Sequence, residues 1–302
     1  MEQIEWQEGI PGGVRCASEV LGAQFASALN GTPVTVHMPG PPVTGAALPL
    51  TQPTAILATF DLVMEGWGVR PPGGTSTVLV NRLGFTATVP DPQIVGDEMN
   101  DWSVLFLSWL DVLTGQHLTP VGFRPPQHAQ NRTCLMVRDD DSLHHTAVVR
   151  GFPKVNALTH LDASSEMLEH CCSLAGAKEP VPLAWMLLRD ARALYRVDQT
   201  RRAAIECGSA AEMAINHLLD RRGVSIPQRQ RTLGWTSRFL KRDGYPLVSD
   251  FDTTFLPIRN RVVHMNPGGD TVSETEALRM LEIAADLVED AFTLPHGLKR
   301  QW

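Results

Sequence analysis

Near residue 155 the texture of this sequence changes, and the change divides the chain between two kinds of folded structure. Before it, short β-branched runs alternate with Pro-Gly and Gly-Gly breakers: Pro33–His37, Thr54–Met64, Thr77–Val89 and Thr146–Val149. Branched side chains suit a pleated surface and the breakers suit its turns, so these runs read as strands. Trp102–Leu113 fits a helix or a long buried strand equally well. After residue 155 the apolar residues recur at helical spacing. Asn156–Leu174 reads as a helix with Asp162 as its cap, and Ala177–Pro182 reads as a connector. Leu183–Val197 and Asp198–Arg222 carry apolar stripes, the second rich in alanine (Ala204, Cys207, Ala211, Ala214, Ile215, Leu218), which permits close helix packing. A shorter helix covers Leu233–Arg242, and a segment from Thr254 to Met265 stops at Asn266-Pro267-Gly268-Gly269. Ser273 with Glu276 three residues on is a capping box that opens a last helix to about Phe292. The expectation is an α+β chain: a β-rich domain over 1–155, a helical connector over 156–180, and an antiparallel helical bundle over 181–302.

Composition narrows the function. With 43% hydrophobic and 20% charged residues in 302, the chain can build packed cores and is not a disordered tail. The net charge of −7 is unevenly spread: residues 1–180 hold 9 Lys/Arg against 18 Asp/Glu, and residues 181–302 hold 17 against 15. Almost all the cations of the second part are Arg, the better residue for forked contacts to phosphate. The five cysteines (Cys16, Cys134, Cys171, Cys172, Cys207) are odd in number and form no CxxC pair, which fits a reducing cytoplasm. The acidic start Met1–Trp6 lacks the pattern of a signal peptide, and no apolar run is long enough to span a bilayer. A cytoplasmic protein without membrane partners is expected.

The residues that carry chemistry lie in Phe255–Pro267, where Arg259 and Asn260 precede His264. On a regular helix Asn260 and His264 share a face. Arg259 is turned from His264 by about 140°, at roughly 100° per residue. The two converge only at a helix irregularity or where two copies meet across a symmetric interface. Pro257 upstream and Pro267-Gly268-Gly269 downstream predict a short, interrupted helix.

With Arg259, a polar Asn260 and His264 in this order, the region Leu183–Phe292 resembles a HEPN domain, the helical bundle of many prokaryotic ribonucleases in toxin and phage-defence systems. The segment Ala203–Glu212 is similar to the Ala/Glu-rich second helix of that family, with Glu212 where a Glu is common. A β-rich front joined to such a domain resembles the ApeA-like layout. The resemblance implies a metal-independent endoribonuclease without cofactors, active as a homodimer, with RNA (tRNA among the candidates) as substrate. It also implies a phage-derived trigger or an antitoxin as a further partner. Arg259, Asn260 and His264 would be the catalytic residues, Arg261 a contact to the RNA backbone, and Glu212 a support within the bundle. The rival expectation is a non-catalytic regulator that uses the same fold to dimerise or bind a ligand.

Other clusters are weaker. His160, His170, Cys171 and Cys172 suggest zinc, but adjacent cysteines on a helix point about 100° apart. Asp139-Asp140-Asp141 with His144 and His145 is a second temptation, better read as an acidic turn between strands. P-loop, nucleophile-elbow and zincin motifs are absent, and no metal is expected.

Overall fold

A computed structural model describes residues 2–38, 77–89, 92–118, 134–138, 143–146, 162–227, 229, 231–248, 250–264, 271–300 and 302. Among these, 2–180 together with Arg300 and Trp302 form one compact unit and 181–299 form another. The chain is α+β, with the described strands all before residue 147 and only helices after residue 164. None of the described helices is long and apolar enough to cross a membrane.

The first unit is built on β1 (Glu2–Ala17), β2 (Gln24–Leu29), β3 (Thr32–His37), β4 (Thr77–Val89), β5 (Cys134–Arg138) and β6 (Leu143–Thr146). They form one sheet in the order β2-β3-β4-β1-β5-β6, with antiparallel neighbours throughout. The sixteen-residue β1 lies inside the sheet and was not legible as a strand in the sequence. Its ladder to β4 breaks between Gly9 and Val14, where Ile10-Pro11-Gly12-Gly13 adds residues that β4 does not match. Proline cannot donate to a ladder, so the interruption falls where the chain has least to lose. The ambiguous Trp102–Leu113 is resolved as helix, within α1 (Pro92–Thr114). It packs aromatic rings on the sheet: Trp6 stacks on Phe85 at 5.2 Å, Phe85 meets Trp102 edge-on at 5.2 Å, and Trp102 stacks on Phe106 at 4.9 Å.

Residues 162–180 belong to this first unit and are not a separate connector. Helix α2 (Ser165–Gly176) buries Met167, Leu168, Cys171, Cys172, Leu174 and Ala175, and a helix with that apolar face must dock. Just ahead of it Ala163 exchanges backbone hydrogen bonds with Arg15 and Ala17 of β1. The cap is Ser164, whose hydroxyl accepts from the Met167 amide; Asp162 accepts instead from the Arg15 guanidinium at 3.1 Å. Cys171 and Cys172 are buried, and burial pushes both thiols far up from their ordinary pKa. Among the described residues no three His, Cys, Asp or Glu side chains gather as metal ligands. His160 and Asp139–Ser142 lie outside the described residues; His144 and His145 fall in β6. The expected strand Thr54–Met64 also lies outside them.

The second unit is helical: α3 (Leu183–Arg196), α4 (Thr200–Arg221), α5 (Leu233–Arg242), α6 (Leu256–Val263) and α7 (Glu274–Ala291). Helix α4 is its axis, packed against α3, α5, α6 and α7. Its small residues Ala203, Ala204, Cys207, Gly208, Ala210, Ala211 and Ala214 are buried, which lets these neighbours approach. Helix α7 begins on the full capping box at Ser273 and Glu276.

Candidate functional site

Helix α6 carries the motif. One turn of π-helix, Phe251–Phe255, leads into it, with the Phe251 and Phe255 rings stacked at 5.1 Å in the core. Leu256 and Pro257 then form the first turn, where proline is tolerated because that amide has no helical partner. The irregularity therefore precedes Arg259, and the stretch from Arg259 to Val263 is regular α-helix. His264 is the C-cap, its amide bonded to the Asn260 carbonyl at 3.0 Å. The angular separation between Arg259 and His264 thus persists within one chain, and no hydrogen bond or ion pair joins them.

Each polar member has its own surroundings. Arg259 leans onto α4. Its stem crosses Gly208 so closely that a β-carbon there would stand 2.9 Å from its Cγ. Its Nη2 donates to Glu212 Oε2 at 3.1 Å, and its Nη1 lies 3.4 Å from Asn260 Oδ1. Arginine has five donors, so this pairing leaves guanidinium hydrogens for a further acceptor. His264 is exposed, beside the exposed Val263, whose side chain is 43% accessible. Arg261 points elsewhere: its Nη2 donates to Glu276 Oε1 at 2.8 Å. The same carboxylate accepts the Ser273 amide through Oε2, so Arg261 locks α6 to the first turn of α7. The Arg261 hydrogen bond is the main reason the Glu276 carboxyl titrates below its ordinary value.

The structure therefore gathers Glu212, Arg259 and Asn260 into one group, leaves His264 exposed at the helix end, and commits Arg261 to a packing ion pair. It adds a residue that sequence reasoning missed. Arg201, in the first turn of α4, donates through Nη2 to the Val262 carbonyl at 3.2 Å. A cation on an unsatisfied carbonyl at a helix C-terminus is favourable, and this one fixes the backbone that presents His264. Arg201, Gly208 and Glu212 recur at seven and four residues, so one stripe of α4 faces α6. That spacing was visible in the sequence, but nothing local said which helix it meets.

One side of α6 thus offers a guanidinium braced by a carboxylate, able to take an anion, and the end of the helix offers an exposed imidazole, able to exchange a proton. No family model, no curated protein and no solved structure matches this chain.

Proposed function

We propose that the chain is a metal-independent endoribonuclease of the HEPN kind, working as a homodimer in a prokaryotic toxin or anti-phage defence system in the cytoplasm. The observation that carries the reading is the exposed His264 at the end of a short helix whose Arg259 is held in place from α4. One chain keeps these two groups on different sides of α6, so a cleft containing both requires a second copy. The exposed Val263 beside His264 suits such a contact.

In that cleft one imidazole takes the proton from a ribose 2′-hydroxyl. The 2′-oxygen attacks the adjacent phosphorus, and the P–O5′ bond breaks as the second imidazole, in its protonated form, gives its proton to the departing oxygen. The products are a 2′,3′-cyclic phosphate and a 5′-hydroxyl end. Arg259 neutralises the charge that builds on the pentacoordinate phosphorus, and Asn260 orients the guanidinium beside it. DNA lacks the attacking hydroxyl and is not a substrate.

The test is RNA cleavage in EDTA by the wild-type chain and by His264→Ala. The expected result is cleavage that survives the chelator and leaves cyclic phosphate ends, reduced at least about 100-fold in the variant, the lower end for a lost acid–base group. Cleavage that needs a divalent ion, or that His264→Ala retains in full, would sink the reading.

A non-catalytic dimeric regulator is the second reading. It is favoured by one fact: both arginines of the motif already have carboxylate partners, Glu212 and Glu276.

A further inference from the structure

The longest cationic stretch of the sequence lies away from the motif. Between Asp220 and Asp243 stand seven Lys/Arg and no Asp or Glu. Helix α5 sits in this stretch with its inner face, Leu233, Thr236, Ser237 and Leu240, buried. Its outer face is unusual. Trp235 is 43% exposed, although an indole of that size normally goes inside. Arg238 lies over it, the guanidinium carbon 5.4 Å from the ring centroid. Trp235, Arg238 and Arg242 follow one another at three and four residues, all exposed, so they form a single stripe, and the exposed Arg231 stands two residues ahead of the helix. The nearby carboxylates are occupied by other cations: Asp243 pairs with Arg222, and Asp252 with Lys241. Among the described residues Arg238 and Arg242 have no carboxylate partner.

We infer that this stripe of α5 is a docking surface for single-stranded RNA, with a base stacked on Trp235 and Arg231, Arg238 and Arg242 along the phosphates. The charge is complementary to a polyanion, and an aromatic flanked by cations is the arrangement that holds an unpaired base and its backbone together. Trp235 and Arg242 are seven residues apart, about 10 Å at 1.5 Å per residue, which gives the strand a track and not a single point. A lipid surface fits less well. Insertion needs an apolar face, and here one indole stands among three guanidiniums. The choice of RNA over DNA rests on the ribonuclease reading; the surface itself does not.

The experiment uses the full chain and a fluorescein-labelled 20-nucleotide RNA carrying 2′-O-methyl groups, which cannot be cleaved by 2′-oxygen attack. Binding is read by fluorescence anisotropy across a salt series. Trp235→Ala is expected to weaken binding about tenfold, within the range for one lost stacked base, and Trp235→Phe to restore most of it. Arg238→Ala with Arg242→Ala should flatten the logarithmic salt slope by about 1.4, at 0.7 per phosphate contact. Circular dichroism melts show whether each variant is folded; the phenylalanine variant keeps the ring if alanine disturbs the helix. Absence of RNA binding by the wild type, or Trp235→Ala and the double Arg variant binding as the wild type does, overturns the proposal. So does a loss confined to anionic phosphatidylserine vesicles. Because the probe resists cleavage, failure of the nuclease reading leaves this measurement intact, and the converse also holds.

Discussion

Gly208 and Arg259 share one contact, and through it a packing position of α4 bears on the motif of α6. Alanine is better than glycine in a helix interior by about 1 kcal/mol. Here, however, its β-carbon would meet the Arg259 stem at 2.9 Å, near the root of the side chain where little can give way. Gly208→Ala should therefore leave the thermal midpoint within a few degrees, about what offsetting terms of this size allow. RNA cleavage should fall about tenfold, the equivalent of roughly 1.4 kcal/mol of lost transition-state contact. Unchanged cleavage with an unchanged melt would mean that the position of Arg259 does not matter to activity. The Glu212–Arg259 pair itself is partly exposed, so its own worth in stability is at most about 1 kcal/mol. Its interest lies in holding the guanidinium.

Among the elements, the start of α7 adds a side-chain tie to a motif helix that packs chiefly on α4. Ser273 caps α7, Glu276 returns the hydrogen bond, and the free oxygen of that carboxylate receives Arg261 from α6. Ser273→Ala should cost about 1 kcal/mol, the usual value of a lost N-cap, read as a lower urea midpoint. Glu276 adds a pH dependence of known sign. Its carboxyl titrates below the ordinary value near 4.5, chiefly through the Arg261 hydrogen bond. The folded state thus favours the ionised form. The contribution is complete above that ordinary value and disappears as pH falls through the lowered one. Glu276→Gln keeps the hydrogen-bonding shape and loses the charge. Its stability deficit should be full at neutral pH and should shrink as acidification below the ordinary carboxyl value protonates the wild-type group. A deficit independent of pH would show that the ion pair contributes nothing.

At the scale of the whole molecule the question is association. Arg259 and His264 sit about 140° apart on a helix that stays regular between them, so the proposed site takes them from two chains. A wild-type chain paired with His264→Ala then keeps one imidazole where two are needed, so excess variant mixed into the wild type should suppress cleavage beyond simple dilution. Sedimentation of the wild type as a monomer, or a loss that only follows dilution, would count against a shared site. The division of the chain also bears on any truncation. A cut after residue 155 would remove the sheet but leave α2 behind with its apolar face bare. The boundary that respects the packing is at 180/181.

What could be read from the sequence was whatever neighbours in the chain decide together. Helix α5 has the bounds that periodicity and the Asp243-Gly244 stop predict, and the Ser273/Glu276 box opens α7 where expected. Caps and stripes act within one or two turns, so a single sequence contains them. Strand β4 was equally plain, because its run of branched residues lies between breakers. Strand β1 was not: its charges and Pro11-Gly12-Gly13 hide the alternation of the buried Trp6, Glu8, Ile10 and Val14, and only β4 and β5 on either side make it a strand. The order of the sheet, the docking of α2 and the partners of the motif belong to the tertiary structure. Glu212 reaches Arg259 across 47 residues and Arg201 reaches Val262 across 61. Residue types at such distances meet only after the helices have packed, and packing depends on the sum of many apolar contacts that no local pattern records.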